Sequence, residues 1–124
     1  MPQLFITIAA AFGFISVALG AFAAHGLKGK LAPNLLAAFE TATQYQMYHA
    51  LALLAVGLLI KHQPSSWLTT TGWLFVAGTV LFSGSLYGLA LTGIRLLGPI
   101  TPIGGACFLT GWLCLFIASV KLIK

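Results

Sequence analysis

Few groups in this chain could hold a ligand or carry a proton. They are His25, His49 and His62, Tyr45, Tyr48 and Tyr87, a single carboxylate side chain, Glu40, and a single guanidinium, Arg95. Tyr45 and His49 have the i,i+4 spacing that puts two residues on one helix face, while Glu40, Gln44 and Tyr48 fall on an adjacent one. Histidine suggests metal or haem. A haem, however, would need axial histidines facing one another across the helices, and His25 and His49 both sit toward one end. Zinc would need three or four convergent ligands, which two histidines and one carboxylate barely supply. The sequence contains no Ser-His-Asp set, paired carboxylates, phosphate loop or CxxC. One carboxylate removes most hydrolase and acid–base schemes. The expectation is a non-enzymatic protein with no metal and no cofactor.

Composition says what must position these groups. The chain has 124 residues, 60% hydrophobic and 6% charged, with mean hydropathy +1.04. A soluble domain is about 25% charged, so this surface suits lipid rather than water. The net charge of +5 comes from scattered lysines and Arg95 flanking apolar runs. They read as headgroup anchors with snorkelling stems, not as a nucleic-acid patch. Cys107 and Cys114 lie roughly 10 Å apart along one helix, beyond disulfide reach, and read as small packing residues.

Four spans follow, giving an all-α integral membrane protein, a four-transmembrane-helix bundle in one domain. The first runs from about residue 3 to 24, roughly 33 Å of helix against a ~30 Å hydrocarbon core. Ala21-Phe22-Ala23 resembles a signal cleavage site, but Met1-Pro2-Gln3 carries no Lys or Arg side chain, so the segment reads as a span. Pro33 and Asn34 start the second helix, with Asn34 as N-cap. Its opening, through Leu35, Leu36, Phe39, Glu40, Thr43 and Gln44, is amphipathic and expected to lie at the interface. The span itself is placed at 45–60. A third span covers 67–92, with Ser65 or Ser66 as cap and Trp67 and Trp73 suited to the interface belt. Thr101-Pro102 reads as N-cap and N1 of the fourth, 102–120, which Lys121 and Lys124 end.

An even number of spans puts both termini on one side. Lys61, Lys121 and Lys124 share that side, against Lys28, Lys30 and Arg95 on the other, so the positive-inside rule is balanced. The free α-amino group tips the reading toward cytoplasmic termini. In lipid, helix association depends on close backbone approach. Ala9, Gly13, Ser16, Gly20 and Ala24 form one small-residue stripe; Gly84 and Gly88, then Gly104, Gly105, Cys107 and Gly111, supply others. Packing within the chain is the plainer use, and a homo-oligomer is compatible with so many stripes.

Sorting polar residues by membrane side makes the bundle asymmetric. His25, Glu40, Gln44, Tyr45, Gln46, Tyr48, His49, Ser83, Ser85, Tyr87, Arg95 and Thr101 all gather at one end. Polar groups at membrane depth face protein or a wet cavity. Glu40 and Arg95, each without a competitor of its kind, are expected to approach one another there, directly or through polar groups of the second helix. His25 either caps the carbonyls ending the first helix or joins this cluster. Near Lys28, Lys30 and Arg95 an anionic lipid headgroup is the expected guest.

Four stretches carry a resemblance: Gly20-Ala21-Phe22-Ala23-Ala24-His25-Gly26-Leu27, Tyr45-Gln46-Met47-Tyr48-His49-Ala50-Leu51-Ala52-Leu53, Phe82-Ser83-Gly84-Ser85-Leu86-Tyr87, and Ile100-Thr101-Pro102-Ile103-Gly104-Gly105 with Gly111-Trp112 beyond it. Together they resemble the domain of unknown function 423 family, small YgdD/YwdK-like bacterial inner-membrane proteins related to transmembrane protein 256. Ala23 departs from the glycine of that pattern. The resemblance implies four membrane helices and a bacterial cytoplasmic (inner) membrane setting, and no activity. Three functions remain: a structural, assembly or lipid-interacting component; a small proton-coupled transporter dependent on Glu40; and a quinone- or haem-linked redox accessory using His49 and Tyr48.

Overall fold

The computed structural model describes residues 2–123, so Lys124, expected to close the last helix, lies outside the described residues. Within them every regular element is helical. Helix α1 spans Pro2–Leu27 and α3 spans Ser66–Thr92. Helix α2 is Pro33–His62 and α4 is Ile100–Ile123. Two wider π turns interrupt the regular winding, at Ala23–Leu27 ending α1 and at Thr79–Ser83 in the middle of α3. The connections are short. Gly29 at φ 85° turns the chain between α1 and α2. Gly93 at φ 73° closes α3, its N–H donating to the Leu89 carbonyl at 2.8 Å, the left-handed ending glycine permits without strain.

Three segments are long and apolar enough to cross a membrane: Pro2–Leu27, Ser66–Thr92 and Arg95–Lys121. Helix α2 is longer still at 30 residues, but its run from Glu40 to His49 makes it the most polar of the four. Part of that polarity is turned inward, since Thr43, Gln46 and His49 are buried.

Successive helices pack antiparallel. Near the end of α2, Gly57 lies against the Pro2 carbonyl and Ile6, while at the far end Ser16 of α1 reaches Thr43. Ser83 of α3 reaches back to Ala42 of α2. Gly111 of α4 sits under the Phe75 ring. The main core joins all four helices through Phe5, Leu53, Val56, Leu68, Phe75 and Phe108. A smaller cluster of Ala23, Leu27, Phe39 and Ala90, with Tyr87 against it, closes the end where α1 turns into α2.

Several expectations need correction. The opening of α2, expected as an amphipathic interfacial stretch leading into the span, is continuous with the rest of the helix but has Phe39, Ala42 and Thr43 buried. Contacts from two neighbours hold it there, Phe39 packing on Phe22 and Tyr87 at ring distances of 6.4 and 5.0 Å. Ala32, not Asn34, is the N-cap, and Pro33 opens the helix, where its missing N–H costs nothing. Helix α4 begins at Ile100, so Thr101 and Pro102 lie inside its first turn. The Thr101 hydroxyl bonds across to α3 instead of capping.

The small-residue stripes divide. Ala9 and Ser16 are buried, but nothing lies within 4 Å of where a Cβ would sit on Gly13, Gly20 or Gly84, and Ala24 is exposed. Spacing puts residues on one face; the number of neighbouring helices decides whether that face is covered, and α2 alone packs broadly along α1. Gly88 meets Leu97 of the following loop, and Gly105 only grazes Phe82 at 4.0 Å. Gly104 is the closest approach, a Cβ there falling 2.7 Å from the Phe82 Cα. Gly57, Gly72 and Gly78, outside the stripes, face Ile6, Phe5 and Phe108.

Candidate functional site

The interior polar groups bond to backbone carbonyls of their own and neighbouring helices and, in three cases, to one another. Gln46, 4% exposed, donates from Nε2 to the Phe12 carbonyl of α1 at 2.8 Å. Its Oε1 accepts the Tyr87 hydroxyl of α3 at 2.7 Å. One side chain thus ties three helices. The Ser16 hydroxyl donates to the Thr43 carbonyl at 2.6 Å, and the Ser83 hydroxyl to the Ala42 carbonyl at 2.8 Å. Ser85 and Thr101 share a hydrogen bond of 2.6 Å that fastens α4 to α3. Between helices in an apolar medium such bonds replace the water these groups lack. Thr79, in the π turn of α3, is the exception: its buried hydroxyl has no partner among the described residues.

His49 is held at both nitrogens. Nδ1 lies 2.8 Å from the Tyr45 carbonyl, and Nε2 lies 3.1 Å from the Trp112 indole Nε1. A carbonyl only accepts and an indole N–H only donates, so the ring is the neutral Nδ1–H tautomer. Its faces are also covered. Phe108 stacks at 3.6 Å and 9°, and Phe75 meets it edge-on at 5.2 Å. To ligate a metal or a haem iron, Nε2 would have to release Trp112. No group of three or more His, Cys, Asp or Glu capable of holding a metal ion occurs among the described residues.

Beside His49 lies an apolar slot of about 520 Å³. Tyr45 and His49 of α2 and Phe82 of α3 form one side; α4 forms the other from Pro102 through Gly105 and Ala106 to Trp112. A smaller groove of about 250 Å³ runs between α1 and α3 over Gln46, Thr79 and Tyr87.

The expected polar cluster therefore separates into two layers. Gln46, His49, Ser83 and Ser85 are buried, and Tyr87 and Thr101 half-buried, all within the hydrogen-bonded interior. Tyr45 lies between, against Phe82 at 4.8 Å and Tyr48 at 5.6 Å. His25, Glu40, Gln44, Tyr48 and Arg95 are exposed. Glu40 and Arg95 form no ion pair among the described residues, and the backbone carbonyl of Glu40 accepts a hydrogen bond from the Thr43 hydroxyl. Both charges are exposed, and an exposed pair gains little. The exposed His25 side chain makes no hydrogen bond among the described residues. Trp112, Phe108 and Thr43 were not among the site candidates. Trp112 carried a usable signal, because an indole about three turns inside its helix is too deep for the interface belt and needs a hydrogen-bond acceptor.

Long apolar helices with polar side chains satisfied inside make this a helical membrane protein. The chain belongs to the family described as protein of unknown function DUF423, whose profile matches residues 19–105. It is 51% identical over 119 residues to a UPF0382 membrane protein of Staphylococcus epidermidis, covering 96% of this chain and 97% of that one. It is 48% identical over 120 residues to the UPF0382 membrane protein YwdK of Bacillus subtilis, covering 96% and 98%. No solved structure matches the chain.

Proposed function

We propose that this protein is a non-enzymatic, four-span structural or assembly component of the bacterial cytoplasmic (inner) membrane, in contact with lipid, with both termini cytoplasmic. The interior network is the observation that carries this reading. Groups that could do chemistry at membrane depth, above all His49 and Gln46, are engaged in fastening helices together. The fourth span is α2. It lies antiparallel between α1 and α3 and buries Thr43, Gln46 and His49 inside the bundle, where polar groups at membrane depth are satisfied by protein. A proton-coupled transporter would need its carboxylate inside the membrane, whereas Glu40 is exposed near the start of α2.

Mild detergent extraction followed by native mass spectrometry and an absorbance scan tests the reading. The expected result is the intact chain, alone or as a homo-oligomer with lipid adducts, and no stoichiometric chromophore. A haem Soret band or a stoichiometric quinone mass would overturn it in favour of the redox accessory.

A further inference from the structure

The slot beside His49 has dimensions that suggest an occupant. Its α4 wall runs from Pro102 to Trp112, about 15 Å at the helical rise, and half of a ~30 Å hydrocarbon core is one leaflet. It therefore extends from one membrane edge to the midplane, parallel to the helices. The lining is almost wholly apolar, and the two nitrogens of His49 and the indole of Trp112 are already bonded. The slot opens sideways, Leu109 being 75% and Trp112 45% exposed. On its inner side the π turn of α3 presents Phe82, the kind of local widening that recurs at functional sites. At the edge where the slot begins stands Arg95, exposed and in the turn just before α4. Lys28 and Lys30 are exposed in the α1–α2 turn at the same end, where Glu40, the single acidic side chain, forms no ion pair with them among the described residues.

We infer that this slot holds one acyl chain of a resident anionic phospholipid, with Arg95 holding the headgroup. The inference rests on the four-span reading, because only then does the slot lie within one leaflet. Charge complementarity selects an anionic lipid over a zwitterionic one. Chain-like length and an almost wholly apolar lining, whose polar groups His49 and Trp112 are already bonded to each other, select hydrocarbon over a polar ring.

Trp112 reports on the slot directly. In a Trp67→Phe/Trp73→Phe background it is the sole tryptophan. The protein is reconstituted in phosphatidylcholine vesicles containing a minor fraction of phosphatidylglycerol, with brominated chains on either lipid in turn. The expected result is saturable quenching by brominated phosphatidylglycerol well above that by brominated phosphatidylcholine. Arg95→Ala should raise the fraction needed for half-quenching by about fivefold. Ala106→Phe, at an exposed position on the slot wall, should fill the slot and abolish the preference. Equal quenching by both lipids in proportion to their abundance would mean ordinary lipid contact and overturn the inference. No quenching by either, as when a second copy of the chain covers the slot, would overturn it equally. Labelling of single cysteines at residues 30 and 63 with an impermeant maleimide separates these from failure of the four-span reading, which would show as labelling of both from the same side.

Discussion

Replacing Gln46 with leucine removes the one side chain that bonds to both neighbours of α2. Two interhelical hydrogen bonds disappear, those to the Phe12 carbonyl and from the Tyr87 hydroxyl. Bonds of this kind in membrane bundles average about 0.6 kcal/mol and reach about 1.7. The Phe12 carbonyl keeps its helical partner, but the Tyr87 hydroxyl is left half-buried without an acceptor, a further cost of about 1–3 kcal/mol where no water replaces it. Gln46→Leu should therefore destabilise by about 2–4 kcal/mol. Tyr87→Phe alone should cost about 1–3 kcal/mol, because it leaves the buried Gln46 Oε1 without its donor. The double variant should be more stable than the sum of the two losses predicts, because it no longer strands a hydroxyl. That coupling should fall at about 0.5–3 kcal/mol, the usual range for residues in contact. Reversible unfolding in mixed micelles, followed by circular dichroism, gives all three numbers. Gln46→Leu as stable as the unmodified chain, or strictly additive losses in the double variant, would refute the reasoning.

Other substitutions separate close-packed positions from open ones. Gly104→Ala should cost about 1–3 kcal/mol because its Cβ would press on the Phe82 backbone, whereas Gly20→Ala, with nothing within 4 Å, should be neutral or slightly stabilising in the same unfolding assay. Trp112→Phe removes the donor to His49 Nε2 and should lower stability by about 0.5–1.5 kcal/mol. Glu40→Gln and Arg95→Ala, both at exposed and unpaired positions, should each leave unfolding within about 0.5 kcal/mol of the unmodified chain.

The helices could be read from the sequence because apolar length is a property of each segment alone. The run before His25, the run after Trp67 and the run after Pro102 each announce a helix, and the observed bounds differ from the expected ones by a few residues. What the sequence could not show depends on neighbours. Phe39, Ala42 and Thr43 look amphipathic in isolation, and only the contacts from Phe22, Ser83 and Ser16 turn that stretch into interior. Elimination of competitors suggested a Glu40–Arg95 pair, yet both side chains are exposed and an exposed pair gains little however scarce its charges. His49 and Gln46 stood out as polar groups at depth; their partners Trp112 and the Phe12 carbonyl lie 63 and 34 residues away, and no local pattern encodes such distances. Gly13 and Gly20 share the spacing of packing glycines, but nothing in that spacing reveals that this edge of α1 is left open.

A four-span bundle requires that α2 cross the membrane despite its polar run. Single cysteines at Lys30 and Gln63, both exposed at opposite ends of α2, can be introduced one at a time into a Cys107→Ala/Cys114→Ala chain. They are then labelled with a membrane-impermeant maleimide in right-side-out and inverted membrane vesicles. The four-span bundle predicts labelling of residue 30 from outside and of residue 63 from inside. Labelling of both from the same side would contradict it.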